Sequence, residues 1–232
     1  MDGTAPCSAK ELLQMFLYAP VEDSGFNVPV PGRSHLHKQL FHAAMDIPGI
    51  GTRFEGGRYG PFSKDLAAAE DEAVSEGTVE SSADGLGGMR LTGAGMKVAE
   101  ELWSRPKEIA GIILPAIKEL MNDMSYIELV SSTYASHPEI AENAEDLELY
   151  KKYRVEAAVS LVIKRKITVA RGSEIAGMPQ ADFTDMLYEN KIYVFAPEEE
   201  DVLKCIQEFK DKKCDLANTI ENINRYECIP AA

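Results

Sequence analysis

Apolar residues recur at helical spacing along most of the chain and alternate only over short stretches. Residues 9–18 read as a short helix; Ser8 caps it, and Glu11, three residues on, completes a capping box. Three prolines and two glycines between Pro20 and Gly32 predict a loop. Ser34 is then expected to cap a second helix carrying Leu36, Leu40, Phe41, Ala44 and Met45. Gly-rich residues 47–60 predict a loop, or a short strand around Arg53-Phe54-Glu55. Pro61 suits the first turn of a third helix running to Ser75 and stopping at Gly77. Thr78–Glu80 and Met89–Leu91 predict two short strands around a turn-rich loop, and Thr92 caps a helix reaching Trp103.

Helix, helix, helix, short hairpin, helix is the order of a winged helix. Two strands are marginal in water, so the hairpin must pack on the helices. Ile109, Ile112, Ile113, Ile117 and Leu120 place a further helix over 107–121, interrupted by Pro115, and another is expected over 125–136, ended by His137-Pro138. The acidic stretch from Glu139 to Leu147 reads as a connection.

Beyond it, a helix with a basic tail is expected from Lys151 to Lys166. Thr168 caps a short helix ending at Gly177, and Pro179 opens the next over 180–190. Phe183 and Leu187 point inward, and glycine at the turn suits two helices meeting steeply, so this part reads as a helix-turn-helix. A strand at Ile192–Phe195 and helices with Val202, Leu203, Ile206 and Phe209, then 216–226, complete the chain. The expectation is a mainly α protein with a small β wing: a winged-helix-like domain with added helices over 1–148, then a helix-turn-helix-like domain with C-terminal helices over 149–232.

Charge changes this picture. The 232 residues carry a net charge of −14, against the usual sign of a nucleic-acid binder. Its distribution is uneven. Residues 151–171 hold Lys151, Lys152, Arg154, Lys164, Arg165, Lys166 and Arg171 against Glu156 alone. Lys164, Arg165, Lys166 and Arg171 are therefore the best phosphate clamp in the chain, while each alone could be a solvated helix end. In the next helix Gln180 can read adenine and Thr184 can touch backbone or base, although Asp182 and Asp185 would face phosphates. A compact fold that holds a protein partner accounts for the same pattern. In the first domain Arg58 and Lys64 are candidate DNA contacts beside Arg33, Lys38, Arg53 and Arg90. The third helix also carries Asp65, Glu70, Asp71, Glu72 and Glu76, so this domain reads mainly as a protein-binding or dimerising module.

Two segments resemble known families. Gly32-Arg33-Ser34-His35-Leu36-His37-Lys38, Arg58-Tyr59-Gly60-Pro61-Phe62-Ser63 and the Leu91-Thr92 step resemble the YwgA-like proteins and, distantly, the Panacea antitoxin domain, over about 9–147. Here His37 and Lys38-Gln39 sit in a segment that in that group usually reads Leu-Gln-Lys, and the wing lacks the usual basic tip. Residues 154–197, with Ile167-Thr168-Val169 and Ser173-Glu174-Ile175-Ala176-Gly177-Met178, are similar to a small prokaryotic antitoxin-like family. There Gly172-Ser173 replaces an alanine pair. Both resemblances imply regulation or antitoxin work, not catalysis.

Little supports an enzyme. Gly85-Leu86-Gly87-Gly88 lacks the context of a phosphate loop, and no Gly-x-Ser-x-Gly elbow occurs. His35, His37 and His42 lack the spacing of a zinc helix and read as polar surface histidines; Cys205, Cys214 and Cys228 match no zinc knuckle. No cofactor is expected. No apolar run approaches the ~20 residues of a membrane span, no secretory leader is visible at Met1-Asp2-Gly3-Thr4, and four cysteines without a CxxC read as reduced thiols of a cytoplasmic protein. The expected function is a prokaryotic antitoxin-like transcriptional regulator. It would bind DNA through the helix-turn-helix and a protein partner, such as a toxin, through the winged domain. A homodimer is expected from operator symmetry. An adaptor or toxin-neutralising module without DNA binding is the alternative.

Overall fold

The computed structural model describes residues 7–47, 50–81, 88–104 and 110–193. The chain divides into two units, Met1–Ile192 and Tyr193–Ala232, and every element below belongs to the first. Its order is α1 (Ala9–Tyr18), α2 (Arg33–Asp46), β1 (Glu55–Gly57), β2 (Gly60–Phe62), α3 (Lys64–Ser75), β3 (Val79–Ser81), β4 (Met89–Leu91), α4 (Gly93–Trp103), α5 (Ala110–Met121), α6 (Tyr126–Ser136), α7 (Pro138–Ala141), α8 (Leu147–Ile163), α9 (Val169–Ala176) and α10 (Gln180–Glu189). The fold is mainly helical, with two small antiparallel hairpins, β1–β2 and β3–β4.

The core is built around α1. Leu12, Leu13, Met15, Phe16 and Leu17 are all buried, and the helix packs against α3, α4, α5 and β4. Ser8 caps it, with Glu11 closing the capping box. Short polar residues also cap α3, α4, α6 and α9, through Ser63, Thr92, Ser125 and Thr168. The β3–β4 hairpin pairs Val79 with Leu91 and Ser81 with Met89. Val30, in the expected loop, adds an antiparallel bridge to Met89 with hydrogen bonds of 2.9 and 2.7 Å. The wing is thus tied to the helices by backbone pairing as well as by apolar contact.

Several local expectations change. Pro61 does not open α3: it sits in β2 opposite Gly56, and Ser63 takes the cap. The hairpin bends at Gly60, whose φ of +91° suits glycine; a Cβ there would also meet the Tyr134 hydroxyl. Helix α2 begins one residue before Ser34, with Gly32 at the cap position and no side-chain cap. Residues 139–147 hold the short helix α7, and α8 starts at Leu147, so the junction expected near 149 lies in its first turn. The basic tail is not helical: α8 ends at Ile163, and Arg165 takes a left-handed φ of +57°. Ile192 and Tyr193 form no strand. The expected wing tip, Val194-Phe195 and the helices carrying Val202, Ile206 and Phe209 lie outside the described residues. Among those described, no helix is long and apolar enough to cross a membrane.

Candidate functional site

Helix α9 packs against both α8 and α10, and the chain turns from α9 into α10 at Gly177. Ala157, Ala158, Leu161, Val162, Val169, Ile175, Ala176, Phe183 and Leu187 are buried between them and against α6. Gly177 holds φ +67° at the turn. Gly172 allows close packing, since a Cβ there would lie 2.8 Å from both Phe183 and Val162. Gln180, Ala181, Asp182, Asp185, Tyr188 and Glu189 are exposed on α10. Thr184 turns its hydroxyl back to the Gln180 carbonyl at 2.8 Å.

The cations beside this motif face elsewhere. Lys164 donates to Glu128 at 2.8 Å. Burial would raise the pKa of that α6 carboxylate, but hydrogen bonds from Lys164, Ser160 and the capping Ser125 hold it below the ordinary value. Lys166 reaches the Glu119 carbonyl and the Asp123 carboxylate, both at 2.9 Å. Arg171 pairs with Glu174 and donates to the Ser132 carbonyl and the Ser136 hydroxyl at the end of α6. None of these bonds goes to α10. Together they fasten α8 and α9 to α5 and α6. Arg165 is exposed and makes no ion pair among the described residues. In the winged part Arg58 pairs with Glu145 at 2.6 Å and Lys64 with Glu55 at 3.0 Å.

A second constellation surrounds α2 and the β1–β2 turn. Arg33, Ser34, His37, Arg58, Tyr59, Gly60, Pro61 and Phe62 line a pocket of about 470 Å³. His37 is 3% exposed and its ring stacks on Phe62, centroids 5.0 Å apart and planes 4° apart. Its Nδ1 accepts from the Ser63 amide, so the neutral ring carries its proton on Nε2. That nitrogen lies 2.8 Å from Glu70 Oε1, although the two are not aligned as a hydrogen bond. The buried Glu70 also accepts from Arg33 Nε at 2.5 Å. Behind the pocket Lys38 is fully buried, donating to Ser34 Oγ at 2.8 Å and to the Tyr59 carbonyl at 2.5 Å. Burial pulls its pKa down to about 8. Tyr126 and Tyr134 both donate to Asp146 at 2.5 Å, and burial pushes both phenols up.

The histidines are therefore not surface groups. His35 is half-buried, 3.1 Å from the Met124 carbonyl. His42 lies 3.2 Å from Thr133 Oγ1, and burial, with the charges of His137 and Arg171, lowers its pKa to about 4. Their face of α2 packs on α6, which spacing within α2 alone does not reveal. One further group escaped sequence reasoning: Lys118 is fully buried and donates to the Leu17 and Ala19 carbonyls at 2.7 and 3.1 Å, and burial lowers its pKa to about 7.

Residues 137–211 match the model of an uncharacterised protein family, UPF0175, which covers less than half of the chain. The match begins at α7 and takes in the helix-turn-helix, overlapping the segment likened above to a small antitoxin-like family. The resemblance of residues 9–147 to YwgA-like proteins gains no support from it. No curated protein and no solved structure matches the chain.

Proposed function

We propose that this chain is a protein-binding regulator of antitoxin type, and that a basic polypeptide docks on the exposed side of α10. The observation that carries this reading is the charge of that side: Asp182, Asp185 and Glu189 are exposed, and no Lys or Arg occurs between Gly172 and Asn190. A duplex approaching α10 would meet three carboxylates, a repulsion that costs binding free energy at every phosphate nearby. The cations that could offset it, Lys164, Lys166 and Arg171, already hold partners of their own. A basic protein surface reverses the sign of the encounter and gains from steering. DNA binding is the second reading, favoured by the helix–turn–helix order of α9, Gly177 and α10 with the start of α10 exposed.

Two measurements on the full chain decide between them. Affinity purification from its source should recover one stoichiometric protein that is lost when Asp182 and Asp185 are both changed to Lys. A duplex from the upstream region should bind weakly at low salt. Tight duplex binding with a steep salt dependence, about 0.9 in log–log slope per neutralised phosphate, would overturn the protein-docking reading in favour of DNA.

A further inference from the structure

We propose that the pocket at the start of α2 binds a small organic phosphate with a planar body, of the size of a nucleoside monophosphate. The inference is independent of the α10 reading. At about 470 Å³ the pocket falls within the range of small-molecule sites, roughly 300–1,000 Å³. Its lining is mostly apolar and includes the Phe62 ring, Pro61 and the half-exposed Tyr59, whose ring lies 5.3 Å from the Arg58 guanidinium. Such walls suit a planar ring, which stacks on aromatic faces without needing a particular base.

The rim supplies the anion-binding groups. Arg33 and Arg58 both line the pocket, and their side chains are 51% and 68% exposed. Their ion pairs hold them without exhausting them. Arg58 engages Glu145 through Nε, and Arg33 engages Glu70 through Nε and Asp71 through one Nη. A guanidinium has five N–H donors, so each keeps donors for a phosphate oxygen. The Ser34 hydroxyl accepts from Lys38 and is hydrogen-bonded to the Tyr126 phenol, so it serves the buried network behind the pocket and the two arginines are left as the anion-binding groups. The opposing charges, Glu70, Asp71 and Glu145, are each bound to one of these arginines.

Calorimetric titration of the full chain with AMP, adenosine, inorganic phosphate and benzoate tests the proposal. AMP should bind with a micromolar Kd and at least tenfold tighter than each of the other three. Arg58→Gln and Tyr59→Ala, both at exposed positions, should each weaken AMP at least tenfold with only a small change in the unfolding midpoint. The proposal is overturned if inorganic phosphate binds as well as AMP (an adventitious ion only), or if adenosine or benzoate does. It is equally overturned if AMP does not bind, or if neither variant changes its affinity.

Discussion

The buried groups around α2 and the cations between α8 and α9 are held differently, although each region also sets a buried carboxylate, Glu70 or Glu128, against a partly exposed cation. In the first region Glu70, His37 and Lys38 are buried, and each has a partner outside its own element: Arg33 beside Glu70, the Ser63 amide beside His37, the Tyr59 carbonyl beside Lys38. In the second, Lys164 and Arg171 remain partly in water and meet α6 at its two ends. The difference is one of dielectric. A charge taken out of water must be matched closely or neutralised, whereas a solvated one gains little from its partner and loses little without it. The α2 region is therefore where single substitutions should be most costly.

The largest effect is expected at Glu70. Replacing it by Ala leaves Arg33 and His37 facing an empty buried site, and removing one partner of a buried pair typically costs 3–5 kcal/mol. Arg33 is half exposed and can turn to water, so about 3 kcal/mol is expected, read as a lower urea midpoint. A loss under 1 kcal/mol would erase the contrast with the α8–α9 region.

Lys118 and Lys38 come next, and their effect depends on pH. Burial lowers Lys118 to about 7 and Lys38 to about 8, against 10.5 for the unperturbed side chain. Between these values and 10.5 the unfolded chain binds more protons than the folded one, so stability rises with pH. It should increase between pH 7 and 9 by about 2 kcal/mol from Lys118 alone, at up to about 1.4 kcal/mol per pH unit. Urea unfolding at both pH values checks this. Lys118→Met should show a smaller rise whatever its absolute stability, and an equal rise would mean that Lys118 does not titrate in the fold.

Helix content and the wing were legible in the sequence because both rest on local signals. Ser8 with Glu11, Thr92 and Thr168 cap where their spacing says, and Val79 and Leu91 face the core on short strands. Pro61 misled because a helix start and an edge strand both tolerate proline. The pocket was hidden for a different reason. Arg33, His37 and Glu70 meet only because side chains of α2 reach the middle of α3, and nothing within either segment shows that pairing. The run Lys164-Arg165-Lys166 erred in the other direction: consecutive cations suggest one patch, but the chain reverses at Arg165 and sends Lys164 and Lys166 to different partners.

The smaller effects test whether those cations act as fasteners. Lys164→Ala removes one of several partners of a buried carboxylate; Ser160 at 2.5 Å and the Ser125 amide at 2.7 Å still hold Glu128. A loss of about 1 kcal/mol is expected, since a hydrogen bond to a charged group is worth roughly 1.5–3 and the remaining donors soften its removal. Arg165 has no such bond among the described residues, and its side chain is exposed. Arg165→Ala should therefore change stability by less than about 0.5 kcal/mol, the usual span for a surface site. Arg165→Gly should be neutral or slightly stabilising, because a left-handed φ of +57° suits glycine better than arginine. A loss above 1 kcal/mol in Arg165→Gly would mean that this side chain is fastened like its neighbours.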